Sequence, residues 1–302
     1  MVEAVSWIAA DWGTSNLRLW ALDGRNDVLA ERSAPCGMGS LQPEAFEPAL
    51  IALIGDLLPP DRVTRVLICG MAGARQGWVE APYFKVPCRP VGTHAQPAPT
   101  RDARLRVRIL PGLAQDEPAD VMRGEETQIA GYLARNPGFQ GTICLPGTHT
   151  KWVRIRNGQV DGFRTVMTGE IFALLGTQSV LRHSAGAGWD ADAFDDGVAA
   201  GLSHPEALLA DLFSVRAAAL LSDPAEGAGR ARMSGLLIGA ELAAMRRFWD
   251  AADVVLIGAP EVSALYATAL GWLGARPLVM DTARLTLTGL IAAYEQLDWG
   301  QV

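Results

Sequence analysis

The stretch Ile8–Trp20, IAADWGTSNLRLW, decides how the rest of the chain is read. An apolar run ends on Asp11, passes through the polar turn Gly13-Thr14-Ser15-Asn16, and re-enters an apolar run with Arg18 near its start. Asp, Gly, Ser and Asn favour turns for local reasons, so taken alone the stretch is a hairpin. The same residue types also suit a polyphosphate. Glycine lets a ligand approach the backbone, the hydroxyls add donors, and arginine offsets charge. A carboxylate at the strand end, Asp11, suits Mg²⁺ directly or through water, because Mg²⁺ keeps several waters in phosphate sites.

A second stretch repeats this layout. Pro146-Gly147-Thr148-His149-Thr150-Lys151 also ends an apolar strand, turns through Gly-Thr with a hydroxyl residue, and enters a second strand beside a basic side chain. The spacing differs, since Arg18 follows Gly13 by five positions and Lys151 follows Gly147 by four. One Gly-Thr match carries little; its recurrence between two strands predicts two similar lobes, each offering a hairpin to a shared cleft. A GxxxxGK[ST] motif is absent from the sequence, which excludes a Walker-type phosphate loop.

Composition narrows the function class. With 302 residues, 49% hydrophobic and 20% charged, the chain reads as globular, with room for two domains. A net charge of -7 argues against general nucleic-acid binding. Arg101, Arg104, Arg106 and Arg108 alternate with apolar residues and read as the solvent face of a strand. Apolar windows such as LLIGAELAAM fall short of the ~20 residues a membrane helix needs. The start, MVEAVSWIAAD, lacks the basic region and cleavage site of a secretory signal. Cys36, Cys69, Cys88 and Cys144 form no CxxC pair and have no histidine at metal spacing, so a reduced, cytoplasmic setting is expected.

Strand-like and helical patterns alternate, the signature of an α/β protein. After the opening hairpin come a helix in PEAFEPALIALIGDLL, a buried strand in VTRVLICGMAG and a Pro-rich loop, VGTHAQPAPTRDARL. A helix in EETQIAGYLAR precedes the second hairpin, GTICLPGTHT with KWVRIRNG, which turns again at Asn157-Gly158. Residues 170–249 read as mostly helical. Strand DVVLIGAP, helix EVSALYATALGWLG, strand RPLVMD and helix TARLTLTGLIAAYEQL close the chain.

Two further segments carry chemistry. In Gly124-Glu125-Glu126 the adjacent carboxylates point about 100° apart on a helix, so one of them faces any given cleft. Such a residue either complements the helix dipole or accepts a proton from a substrate hydroxyl. At Gly258-Ala259 small residues between strand and helix would let an adenine ring lie on the backbone, although any βα turn looks alike. His149 reads as a loop donor, and Trp12, Trp78 and Trp152 as core or cleft wall.

Together DWGTSNLRLW, LPGTHTKWV and VLIGAPEV resemble the two phosphate hairpins and the adenosine segment of the sugar kinase, Hsp70 and actin superfamily. The resemblance implies a two-lobed α/β actin-like ATPase (ribonuclease H-like) fold with its active site in the interdomain cleft. Within that superfamily, DWGTSNLRLW, MAGARQGWVEAPY, MRGEETQIAG, PGTHTKWV, FRTVMTGE and SGLLIGAEL, in that order, resemble the blocks of the 2-dehydro-3-deoxygalactonokinase family. Ala74 departs from the Ser of many members, and GTSN replaces the GSTN of some.

The family resemblance implies ATP-dependent phosphorylation of 2-dehydro-3-deoxy-D-galactonate on its 6-hydroxyl, with ATP and Mg²⁺ as cofactors. It implies lobes at 1–117 and 118–283, with residues 284–302 packing back on the first. Glu125 takes the place of the catalytic base, with Glu126 as the alternative, and Asp11 organises Mg²⁺. Gly13, Thr14, Ser15, Asn16 and Arg18, with Gly147, Thr148, His149, Thr150 and Lys151, would bind phosphates; Gly258 and Ala259 would lie under the adenosine. Arg75, Arg123, Arg164 and Trp78 are the substrate candidates. Arg75 is preferred for the substrate carboxylate, because it follows a buried strand and a glycine turn. The expected partner is a small sugar acid, with no nucleic acid or membrane, and a homodimer is left open. The rival readings are a kinase for another acid, such as 2-dehydro-3-deoxygluconate, and an ATP-dependent switch or sensor.

Overall fold

In the computed structural model, which describes residues 5–222 and 224–300, the opening stretch is the expected hairpin of β1 (Trp7–Trp12) and β2 (Leu17–Leu22). Asp11 lies opposite Arg18, and Trp12 opposite Leu17. Strand β3 (Val28–Ala34) continues the antiparallel run. Helix α1 (Phe46–Ile54) buries Phe46, Leu50 and Ile54, one residue per turn on one face. Strand β4 (Thr64–Gly70) returns parallel to β1, setting Cys69 beside Asp11 and Gly70 beside Trp12.

Strands β5 (Tyr83–Lys85), β6 (Gln96–Pro97), β7 (Leu105–Ile109), β8 (Gly112–Asp116) and β9 (Ala119–Met122) follow, then α2 (Glu125–Arg135). The main sheet has the order β3-β2-β1-β4-β7-β6, and β5-β8-β9 form a small second sheet. The chain continues through β10 (Gly141–Leu145), β11 (Thr150–Arg156) and β12 (Gln159–Val166) into α3 (Thr168–Thr177) and α4 (Arg182–Ala185). Helices α5 (Ala191–Ser203), α6 (Leu208–Leu221), α7 (Ala228–Ala244) and α8 (Arg246–Trp249) come next. Then follow β13 (Val254–Ile257), α9 (Pro260–Trp272), β14 (Leu278–Met280) and α10 (Thr282–Gln296).

Two compact units result. The first runs to Phe139 and takes in Ile155–Gly162 and the chain from Thr282 onward; the second holds Gln140–Arg154 and Phe163–Asp281. Helix α2, placed by the sequence in the second lobe, thus belongs to the first unit. It is held there by α10 at backbone-to-backbone range: a Cβ on Gly131 would sit 2.0 Å from the Leu285 carbonyl, and one on Gly289 1.9 Å from that of Thr127. The main sheet is apolar on both faces, with Ile8, Trp12 and Phe46 in one layer and Trp7, Leu67, Ala130 and Leu290 in the other. The arginine-bearing strand β7 is not an open solvent face. Arg106 and Arg108 are half-buried, and the Arg108 guanidinium lies 4.9 Å from the Trp299 ring, beyond α10.

The five-stranded sheet, in the order β12-β11-β10-β13-β14, repeats the β3-β2-β1-β4-β7 order of the main sheet. The β10–β11 link is a tight turn rather than a crossover, so the pair is antiparallel, as β1 and β2 are. The repeat read from two Gly-Thr turns is therefore a repeat of topology. Helices α5 and α7 interlock through Gly197 and Gly201 on one and Gly235 and Gly239 on the other. A Cβ at any of the four would stand 2.2–2.5 Å from a backbone oxygen of the facing helix. Among the described residues no helix is long and apolar enough to cross a membrane.

Candidate active site

The first turn is held from behind. The Gly13 N–H donates to the Asn16 carbonyl at 2.9 Å. The carbonyls of Gly13, Thr14 and Ser15 accept from the N–H groups of Met38, Gly39 and Gly37 at 3.0, 2.9 and 3.0 Å. The Trp12 indole donates to the Cys36 carbonyl at 2.9 Å. A Cβ on Gly37 would stand 2.3 Å from the Ser15 backbone nitrogen, so glycine is needed for this approach. With its carbonyls occupied, the turn presents Thr14, Ser15 and Asn16 outward. All three are exposed, and among the described residues their side chains make no hydrogen bond within the protein. Sequence reasoning missed this brace, although the paired glycines of CGMGS were its signal.

Asp11 stands half-buried at the end of β1. Burial pushes its carboxyl above the ordinary range, opposed by Arg18 across the hairpin and by the Cys69 thiol, whose Sγ is 3.8 Å from Oδ1. Cys69 itself is pushed well up, by burial first and then by Asp11 and Glu126, which makes it an inert thiol. Gly70 takes φ 92°, a conformation closed to other residues here, because a Cβ would lie 2.7 Å from the Trp12 carbonyl. Gly124, at φ 103°, passes so close that its Cβ position is 3.4 Å from the Gly70 Cα. These two glycine backbones bring the start of α2 to the ends of β1 and β4.

Structure separates the two glutamates that sequence could not. Glu125 is half-buried and accepts the Arg123 N–H at 3.0 Å. Glu126 is fully buried and accepts the Gly124 N–H at 2.7 Å and the Thr127 hydroxyl at 3.1 Å. Its carboxyl is raised to about 8, by burial first and then by Glu125. Of the two, Glu125 is the one that is not fully enclosed.

Among the described residues no three His, Cys, Asp or Glu side chains gather as a metal site. Asp11 offers one carboxylate in place of a cage. That donor set fits Mg²⁺ bound mainly by phosphate oxygens and water, and the raised carboxyl would be relieved by a cation.

The substrate candidates part company. Arg75 is largely exposed, with its Nε 3.5 Å from Glu80. Trp78 is 6% exposed and packs with Trp12 and Phe46 at 6.1 Å between ring centroids, a core position rather than a stacking platform. Arg123 is buried, donates to the Ala81 carbonyl at 2.8 Å, and lies 4.3 Å from the Tyr83 ring centre. Its Nε and Nη1 are enclosed without a protein partner among the described residues, and a Cβ on Gly73 would come within 2.9 Å of Nη1. Arg164 is half-buried on β12 in the second unit, and Ala74 is buried.

The second turn is braced as the first is. The Thr148 carbonyl accepts the Glu170 N–H at 2.9 Å, and a Cβ on Gly169 would sit 2.2 Å from the Gly147 carbonyl. His149 Nε2 lies 2.6 Å from Glu170 Oε2. Gly147, Thr148 and His149 form the turn, while Thr150 and Lys151 are buried at the start of β11. Gly258 seats the start of α9 against this turn, its Cβ position being 2.8 Å from the Pro146 carbonyl; Ala259 beside it is exposed. Next to the turn a cavity of about 610 Å³ is lined by Thr148, Gly169, Phe172, Ser234, Glu261 and Tyr266, among others. That volume suits a small-molecule site.

The 2-keto-3-deoxy-galactonokinase family matches residues 11–293. The chain is 38% identical over 303 residues to the probable 2-dehydro-3-deoxygalactonokinase DgoK1 of Rhizobium meliloti (strain 1021), covering 97% of this chain and 98% of the relative. It is 39% identical over 250 residues to the 2-dehydro-3-deoxygalactonokinase of Escherichia coli (strain K12), 80% of this chain and 81% of the relative. A crystal structure of a Sinorhizobium meliloti protein carrying the 2-dehydro-3-deoxygalactonokinase name superposes with a TM-score of 0.89 at 38% identity, over 96% of this chain and 98% of that one. The (R)-2-hydroxyglutaryl-CoA dehydratase component A of Acidaminococcus fermentans follows at a TM-score of 0.51 and 11% identity, over 97% and 99%, a likeness of fold alone. The α/β actin-like ATPase class expected from the sequence is the class observed, and the chain belongs to the 2-keto-3-deoxy-galactonokinase family.

Proposed function

We propose that this chain transfers the γ-phosphoryl group of ATP to the 6-hydroxyl of 2-dehydro-3-deoxy-D-galactonate, giving the 6-phosphate and ADP. The observation that supports this most is the placing of Glu125, reachable at the start of α2, by the Gly70–Gly124 contact next to Asp11. As the sugar oxygen bonds to Pγ, its proton passes to Glu125. The bond from Pγ to the bridging oxygen breaks, and its electron pair leaves on ADP. Because the transition state is loose, the protein contributes mainly position and charge. Thr14–Asn16 and Gly147–His149 supply donors to phosphate oxygens, Arg18 adds charge at the first turn, and the cavity beside Gly169 and Phe172 takes the nucleoside. Mg²⁺, with Asp11 among its ligands, supplies neutralisation of phosphate charge when bound.

Arg75 is assigned to the substrate carboxylate, since it is reachable and its surface pairing with Glu80 is easily exchanged. Arg123, enclosed between Tyr83 and Gly73, holds the entry to α2 instead. A coupled ADP-release assay on 2-dehydro-3-deoxygalactonate and its gluconate epimer tests the assignment. A higher kcat/KM on the galactonate is expected, and a reversed preference would reassign the substrate. ATP binding without turnover on any 2-keto-3-deoxy acid would turn the reading towards a nucleotide switch.

A further inference from the structure

One buried group lies outside every role given so far. Glu241, near the end of α7, is 3% exposed, and its carboxylate has three partners. Oε1 accepts the Trp152 indole N–H at 2.7 Å; Oε2 accepts the Tyr266 hydroxyl at 2.7 Å and also the Thr168 hydroxyl. Tyr266 in turn lies 3.0 Å from the Thr150 hydroxyl. The proton order follows from valence. A carboxylate only accepts, so Tyr266 commits its single proton to Glu241, and Thr150 must donate to Tyr266.

The partners are not scattered. Thr150 and Trp152 open β11 directly after the second turn. Thr168 begins α3 and precedes Gly169, whose backbone packs against the Gly147 carbonyl, and Glu170, whose N–H donates to that of Thr148. Tyr266 lies on α9 and, with Thr168, lines the cavity of about 610 Å³. Helix α7 cannot easily drift, because its glycines interlock with those of α5.

We propose that Glu241 is a positioning residue for the nucleotide, fixing the second turn, its brace and α9 in one arrangement so that the turn's donors are set before a phosphate arrives. This rests on the kinase reading for the identity of the ligand. A carboxylate suits the task better than an amide. Glutamine has nearly the same shape, but with its oxygen on the indole N–H its amide must donate to the two hydroxyls, which reverses the proton order at Tyr266 and Thr150. The charge-assisted bonds that tie the three segments become weaker neutral ones.

The test measures binding of a non-hydrolysable ATP analogue by calorimetry, well below the unfolding temperature, alongside steady-state kinetics. For Glu241→Gln the analogue Kd and the ATP KM should rise about tenfold or more, with the KM for the sugar acid within about twofold of wild type. Tyr266→Phe should give a smaller rise in the same constant. The double variant should be less than additive, because both act through one network. Glu241→Asp, which keeps three acceptor contacts on a shorter arm, should recover part of the loss. An unchanged Kd in a folded Glu241→Gln protein would overturn the proposal, as would an equal rise in the KM for the sugar acid. If Glu241→Gln does not fold, Tyr266→Phe decides alone by the same criterion. Wild type that binds the analogue but phosphorylates nothing would sink the kinase reading while leaving this comparison intact; wild type that binds no nucleotide would sink both.

Discussion

Replacing Glu126 with glutamine tests whether the two glutamates at the start of α2 do different work. Glu126 is fully buried with its carboxyl raised to about 8, from an ordinary 4.5. The folded protein therefore holds this proton more tightly than the unfolded chain. Between pH 4.5 and 8 the native state binds more protons, so stability falls as pH rises. The Glu126 contribution is fully present below pH 4.5 and is lost by the time pH has passed 8. At about 1.4 kcal/mol per pH unit the window holds about 5 kcal/mol; water entry and relaxation around a buried charge reduce this, leaving about 2–5 kcal/mol. A glutamine side chain at this position would stay neutral throughout, accept the Gly124 N–H through its oxygen, and donate to Thr127 through its nitrogen. Urea titrations of both proteins at pH 5, 6.5 and 8 should show little difference at pH 5 and a widening advantage for the variant. Asp11 and Glu241, raised in the same direction, are common to both and cancel. Turnover should change by less than about threefold in Glu126→Gln and fall about 10²–10⁴-fold in Glu125→Gln. Parallel stability curves across this range would refute the burial argument. A Glu126→Gln protein as inactive as Glu125→Gln would move the base.

Arg75→Met should lower kcat/KM on the sugar acid about tenfold or more, while leaving a neutral analogue lacking the carboxylate nearly unchanged. Arg123→Met should instead lower stability without that discrimination; the opposite pattern would exchange their roles. Gly70→Ala places a Cβ 2.7 Å from the Trp12 carbonyl at φ 92°. It should cost about 1–3 kcal/mol in thermal unfolding and weaken Mg²⁺-dependent ATP binding, and a neutral effect on both would remove the glycine contact from the site.

What the sequence disclosed was local, and what it concealed was long-range. The β1–β2 hairpin, the β10–β11 hairpin and the helices at 125–135, 260–272 and 282–296 follow from periodicity and turn residues within a short window. Strands β5, β8 and β9 did not, because they are short, carry Pro118 between them, and pair β5 with β8 across a long sequence gap. The placement of α2 depended on Gly131 meeting Leu285, a contact no window contains. Trp78 read equally well as cleft wall or core, and its burial with Trp12 and Phe46 is decided by segments far apart in sequence. Glu241 lay inside a recognised block, SGLLIGAEL, yet nothing nearby marks it as the partner of Trp152, Thr168 and Tyr266.

The braces behind the two turns show why a motif is an incomplete description of the proposed phosphate site. A turn carries both N–H and C=O groups, and an anion is attracted by one and repelled by the other. In each unit a glycine-bearing segment outside the motif takes up turn carbonyls: the N–H groups of Gly37, Met38 and Gly39 take three on the first, and the Glu170 N–H, next to Gly169, takes that of Thr148 on the second. The donors are then the face left outward. A Cβ would stand 2.3 Å from the Ser15 nitrogen at Gly37 and 2.2 Å from the Gly147 carbonyl at Gly169, so alanine at either position must push its segment off the turn. Gly37→Ala and Gly169→Ala should each raise the ATP KM about tenfold or more, although neither alters a motif residue. Gly138→Ala, where a Cβ meets nothing within 4 Å, is the control and should leave the ATP KM unchanged. An ATP KM in both brace variants equal to that of the control would mean that the turns hold their shape unaided.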